Sequence, residues 1–134
     1  MVFKRIVAAS LASLAVLAGT ATTSYAAYED GSCQASEFCL YKNTNYSGGV
    51  HDFGPDDGAY IAEWFSGTAT LVNNNASSSH NRFNYGIYTY EYSGYSGPAQ
   101  YHRATGTGCA STECPAYSNL GSHNDKLSSH SGWW

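Results

Sequence analysis

Charge is what this sequence has least of. Of 134 residues only 12% are Asp, Glu, Lys or Arg, with six basic against ten acidic and a formal net charge of -4. A general phosphate-backbone binder needs clustered Lys and Arg, so no nucleic-acid partner is expected. Catalytic signatures are equally scarce. There is no Gly-x-Ser-x-Gly elbow and no phosphate loop, and His51, His80, His102, His123 and His130 show no metal-ligand spacing. The expectation is a protein that is not an enzyme. Long apolar runs are missing beyond the N-terminal segment, so no membrane partner is expected.

That segment, residues 1–26, reads as a secretory signal peptide. Lys4 and Arg5 precede an apolar stretch from Ile6 to Ala18, and Ser24-Tyr25-Ala26 presents small residues at the cleavage positions. The apolar stretch is too short to remain as an anchor. The expected mature protein, residues 27–134, is secreted, monomeric and a single domain. Its basic residues are Lys42, Arg82, Arg103 and Lys126 against ten acids, a formal charge of -6.

What is abundant is turn and strand chemistry: 14 Gly, 12 Tyr and 15% aromatic residues, with few good helix formers. That composition points to an all-β fold with many turns. Phe83 to Tyr92 alternates, placing Phe83, Tyr85, Ile87 and Thr89 on one face and Tyr88, Tyr90 and Tyr92 on the other. Phe38 to Tyr41 is a shorter strand of the same kind, Gly48-Gly49 suits a turn, and Ile61 to Phe65 suits one helical turn.

An internal repeat organises these pieces. Tyr41, Tyr46 and Gly48 recur as Tyr90, Tyr95 and Gly97 at an offset of 49, and Asn74–His80 recurs as Asn124–His130 at an offset of 50. The expectation is a β-sandwich built from two Greek keys, roughly residues 33–83 and 84–134. His80 and His130 fall on matched positions, which suggests a structural role.

The four cysteines, Cys33, Cys39, Cys109 and Cys114, form an even set in an exported chain and read as two disulfides. Three pairings are possible. Local pairing closes small loops worth about 2–2.5 kcal/mol each in the chain-entropy model, which does not decide among them. A zinc site is the rival, but neither pair has zinc-knuckle spacing.

At the repeated residues the chain resembles the βγ-crystallin fold family. Its hairpin signature is an aromatic, four residues, an aromatic, one residue and a glycine, as at Tyr41/Tyr46/Gly48 and Tyr90/Tyr95/Gly97. Its calcium signature is two Asn/Asp, two free positions, Ser/Thr and Ser, as at Asn74–Ser79 and Asn124–Ser129. The resemblance implies a possible calcium cofactor held by Asn74, Asn75, Ser78, Asn124, Asp125 and Ser128. The site with Asp125 is expected to be the stronger, having the one charge. Turn capping is the alternative use of these short polar side chains.

A narrower resemblance is to the small microbial metalloproteinase inhibitors on this fold, peptidase inhibitor family thirty-six. Cys33, five residues, Cys39, one residue, Tyr41 matches their start, and Cys109, four residues, Cys114 matches their later loop. The resemblance implies the pairs Cys33–Cys39 and Cys109–Cys114. It also implies an inhibitory loop of Cys109, Ala110, Ser111, Thr112, Glu113 and Cys114, held extended and entering a secreted metalloprotease like a substrate. The bond addressed is then Cys109–Ala110. Thermolysin-like enzymes favour a bulky apolar residue just after the cut, and Ala110 is small, which implies weaker inhibition. The alternative is a calcium-binding structural or toxin-like module with no protease target.

Overall fold

The computed structural model describes residues 27–133; the expected signal peptide lies outside them. Seven strands follow in order: β1 Phe38–Asn43, β2 Ser47–Phe53, β3 Ser78–Asn81, β4 Gly86–Tyr92, β5 Ser96–His102, β6 Ala116–Tyr117 and β7 Ser129–Trp133, with one short 3-10 turn at Gly121–His123. They form a sheet ordered β2-β1-β3-β6 and a second ordered β5-β4-β7, with every paired neighbour antiparallel.

The two keys exchange strands. β6 follows β4 and β5 in the chain yet pairs with β3 in the first sheet. In return Asp57, from the first half, bridges His130 of β7, with reciprocal backbone bonds of 2.8 and 2.9 Å. One apolar cluster lies between the sheets, drawing Phe38, Leu40, Phe53 and Tyr60 from the first half and Ile87, Leu120 and Leu127 from the second.

The two hairpins obey the aromatic–glycine signature for a visible reason. After β1 the chain turns through Asn45 and Tyr46 (φ 56° and 58°), and after β4 through Gly94 and Tyr95 (φ 74° and 58°). Gly48 and Gly97 then take φ of 79° and 82°, and a Cβ at either would fall 2.3 Å from the Asn43 side chain or 2.4 Å from the Tyr92 ring. Each hairpin folds over that bare position, with Tyr41 edge-on to Tyr46 at 5.7 Å and Tyr90 edge-on to Tyr95 at 6.1 Å. Gly48 and Gly49 therefore sit within β2, and the turn expected there falls earlier, at residues 44–46.

Two further expectations shift. β4 begins at Gly86, because Asn81 holds the preceding residues in a turn: its Oδ1 accepts the Phe83 N–H and its Nδ2 donates to the Tyr85 carbonyl. The face assignment still holds, with Phe83, Ile87 and Thr89 buried. Ile61 to Phe65 forms no helical turn. Such a turn would put both residues on one face, whereas Phe65 is buried and Ile61 is 73% exposed.

The repeat register also changes. Ser78 lies opposite Tyr41 and Ser129 opposite Tyr90, so the equivalent serines are 51 apart. Ser78 Oγ donates to the Asn43 carbonyl and accepts the Tyr46 N–H, and Ser129 Oγ does the same with Tyr92 and Tyr95. His130 thus matches Ser79 rather than His80. It is buried, and so is His102, each ring 5.1 Å from Phe38.

His102 and His130, the two fully buried histidines among the described residues, are neutral. The His130 Nε2–H donates to the Gly54 carbonyl, so its Nδ1 accepts from the Tyr60 hydroxyl. His102 lies between the Ser79 and Thr89 hydroxyls. Burial lowers the His102 pKa to about 3 and that of His130 to about 4.

Candidate functional site: a clasped disulfide hairpin

The chain leaves β5 at His102, makes an excursion of thirteen residues and returns to β6. Its return limb is anchored at the base: Arg103 N–H donates to the Cys114 carbonyl at 3.0 Å, and Asn81 N–H to the Pro115 carbonyl at 2.7 Å. Cys109 and Cys114 are bonded to each other, as are Cys33 and Cys39, and no described cysteine is free. The first bond ties residue 33 to the buried Cys39 of β1, with Arg82 donating to the Cys33 carbonyl. The second closes a loop in which Cys109 to Glu113 are all exposed.

Inside that loop the backbone is not extended, as the resemblance implied it would be. Ala110 N–H donates to the Glu113 carbonyl at 2.8 Å, and Glu113 N–H returns the bond to Ala110 at 3.0 Å. Ser111 takes a left-handed φ of 59°. The result is a tight hairpin whose apex is Ser111–Thr112. A disulfide spanning four residues leaves space for a two-residue turn, and these two backbone bonds fill it. Ala110 therefore sits on the outgoing limb with both backbone polar groups satisfied within the loop.

Tyr117 clasps the hairpin from β6. Its hydroxyl accepts the Cys114 N–H at 3.0 Å and directs its one proton between the Thr112 carbonyl at 2.5 Å and the Tyr101 carbonyl at 2.9 Å. Burial, the largest influence, raises the Tyr117 pKa, which keeps that proton in place at neutral pH. Nothing in the sequence set this tyrosine apart from the other eleven, and it was not anticipated as a site residue.

The calcium-motif residues gather elsewhere, where the halves meet. Asn74 N–H donates to the Leu127 carbonyl, and Asp125 N–H to that of Ala76, with Asn74 and Asp125 both left-handed (φ 58° and 56°). Ser128 Oγ donates to Asn74 Oδ1 at 3.1 Å, linking one motif to the other. Asn124 Nδ2 donates to Asp125 Oδ2, and Asn75 Nδ2 to the carbonyls of Leu71 and Asn73. Ser78 is corrected from ligand candidate to hairpin clasp, since it is fully buried with its hydroxyl engaged by backbone. In the 51-residue register, Ser77 is the equivalent of Ser128. Among the described residues no group of three or more His, Cys, Asp and Glu could hold a metal.

Residues 26–102 match peptidase inhibitor family I36, which is more than half of the chain. The chain belongs to that family. The match spans the first disulfide and both aromatic–glycine hairpins and ends before Cys109, so membership in I36 rests on the scaffold rather than on the loop. Solved structures agree on the fold. A chain from work on the evolution of the eye-lens βγ-crystallin domain fold superposes with a TM-score of 0.57 at 19% identity, over 76% of this chain and 90% of that one. A βγ-crystallin from Ciona intestinalis gives 0.53 at 18% identity, covering 72% and 99%. The N-terminal domain of protein S gives 0.53 at 16%, covering 72% and 94%. A comparison with curated protein sequences finds no match.

Proposed function

We propose that this I36 family member is a secreted, non-enzymatic inhibitor of a zinc metalloprotease, and that the Cys109–Cys114 hairpin is what the protease binds. The observation that carries the reading is the clasp: an exposed loop fixed by a disulfide, two internal backbone bonds and the Tyr117 hydroxyl. A loop ordered before binding loses little conformational entropy in the complex. The Cys109–Ala110 peptide is the bond presented to the protease zinc. After its hydrolysis the new termini stay together, because the disulfide holds Cys109 to Cys114 and the Glu113 bonds hold Ala110. The amine then remains beside the carboxyl it left, and resealing competes with release.

Ala110 sets the strength. It underfills an apolar pocket built for a larger side chain, and one or two missing methylenes cost about 1–3 kcal/mol. The test is a titration against a panel of secreted proteases including a thermolysin-like enzyme. Stoichiometric inhibition of a metalloprotease that tightens in Ala110→Val and fails in the Cys109→Ser/Cys114→Ser double variant supports the reading. Inhibition unaffected by all of these changes refutes it.

A second role is favoured by the Ser128–Asn74 contact. Oxygen atoms from both halves converge there, the donor type that suits calcium. Asn74, Asn124, Asp125 and Ser128, with Ser77 in place of Ser78 and, in the same 51-residue register, Asn73 in place of Asn75, are the residues that would hold the ion. Its chemistry would be to cross-link the two keys. With Asp125 the one carboxylate, binding would be weak.

A further inference from the structure

We propose that the outer aromatic face of the second sheet, running from Tyr101 through Tyr88 to Trp133, is a second contact surface for the protease whose cleft receives the Cys109–Cys114 hairpin. The proposal rests on the inhibitory reading above and extends it from a loop to an interface.

The face exists because of strand alternation. Ile87, Thr89, His102 and His130 point inward and are fully buried, so Tyr88, Tyr101, Ser131 and Trp133 fall on the opposite side. Where an antiparallel sheet has a solvated face, that face ordinarily carries polar residues. Here the Tyr88 ring lies 4.7 Å from that of Tyr101 and 6.0 Å from that of Trp133, and Trp133 is 63% exposed. Gly86 makes room for this packing. A Cβ there would fall 2.1 Å from the Tyr101 hydroxyl, so the tyrosine lies across the bare backbone. The rings are thus fixed in place before any partner arrives.

The face is continuous with the hairpin. Tyr88 and Tyr101 share a groove of about 600 Å³ with Ser111, Thr112 and Glu113. The Tyr117 hydroxyl spans the two, facing the Tyr101 carbonyl on one side and the Thr112 carbonyl on the other. A protease whose cleft encloses the apex therefore brings its rim over Tyr101.

Size requires such a flank. A stable interface takes about 20–30 residues a side, and the disulfide loop supplies six. Tyr and Trp are also the residue types in which binding energy concentrates. A second copy of this chain fits less well, since three rings with a serine beside them fall short of what a stable dimer buries. The rings themselves bear no charge, while Glu113 and the Asp56 carboxylate on the Gly132 N–H lie at the borders of the face, so the rings meet an apolar part of the protease rim and their contribution is insensitive to salt.

The experiment measures Ki for a thermolysin-like metalloprotease with the full-length secreted protein and its Trp133→Ala, Trp133→Phe and Trp64→Ala variants, at low and high salt. Trp64 is the other exposed indole among the described residues and lies in a different groove, beside His51 and Glu63. Trp133→Ala is expected to raise Ki about 30-fold, the effect of a hot-spot residue. Trp133→Phe restores most of the affinity, Trp64→Ala changes nothing, and salt leaves the pattern intact. If the wild type inhibits and Trp133→Ala inhibits equally well, the second surface is refuted while the hairpin reading stands. If the wild type inhibits no protease, both are refuted. Sedimentation showing a dimer that Trp133→Ala abolishes would assign the face to a second copy and also overturn the proposal.

Discussion

Acidification should unfold this protein through two histidines. In the unfolded chain both titrate near 6.5; in the fold His102 is held to about 3 and His130 to about 4. The folded pKa lies below the unfolded one, so the stabilisation is fully present above pH 6.5. It is lost as pH falls toward the folded values, because only the unfolded state takes up the protons. At pH 4.5 each histidine is about two units below its unfolded pKa and contributes about 2.7 kcal/mol of lost stability. The pair then removes about 5 kcal/mol, comparable with the whole stability of a marginal domain. Buried Glu37 acts in the opposite direction, since burial raises its pKa and its protonation favours the fold. The assay is urea unfolding followed by tryptophan fluorescence at pH 7, 5.5 and 4.5. With m about 2 kcal/mol/M, the midpoint should drop by about 2–3 M across this range. In parallel, NMR of the folded protein should show two imidazoles that remain neutral at pH 5. A flat midpoint, or five histidines all titrating near 6.5 in the fold, would refute the reasoning.

Three other outcomes follow from the geometry. Ser78→Ala and Ser129→Ala should each cost about 1–2 kcal/mol, because each removes a buried hydroxyl that satisfies one N–H and one carbonyl of its hairpin turn, and each kcal/mol lowers Tm by about 4–8 °C; Ser77→Ala should cost far less, and equal losses at 77 and 78 would contradict the 51-residue register. Tyr117→Phe should leave the fold intact but speed amide hydrogen exchange at Cys114, and unchanged exchange there would mean the hydroxyl is not the clasp. Calcium at 100 times its Kd should add about 2.7 kcal/mol and raise Tm by about 10–20 °C, with Asp125→Ala removing more of the gain than Asn74→Ala at the equivalent position; no shift at millimolar calcium would leave these residues as turn caps.

The hairpins were legible in the sequence because a glycine at a fixed distance from two aromatics has a single geometric use, and Gly48 and Gly97 adopt it. The repeat register was less legible. Runs of identical residues, Asn73–Asn75 and Ser77–Ser79, can slide by one position without changing the pattern. Only the Ser78 and Ser129 hydroxyls, each engaged by the turn of its own hairpin, fix it. The disulfide partners followed from resemblance, since loop entropy did not choose among pairings. The turn within the second loop did not follow, because a crosslink limits how far apart two residues lie and not how the chain runs between them. Tyr117 was invisible for a related reason. Its role depends on β6 crossing into the first sheet beside the loop, and a strand of two residues leaves no periodic trace.

The most direct test of the account is the fate of one peptide bond. The secreted protein is incubated with a metalloprotease it inhibits, quenched in acid at intervals, reduced and mapped by mass spectrometry, with inhibition assayed on the unreduced samples. The account predicts one cut, between Cys109 and Ala110, that stops at a constant fraction of molecules while inhibition persists. A cut at any other bond, or one at Cys109–Ala110 that runs to completion and abolishes inhibition, would contradict it.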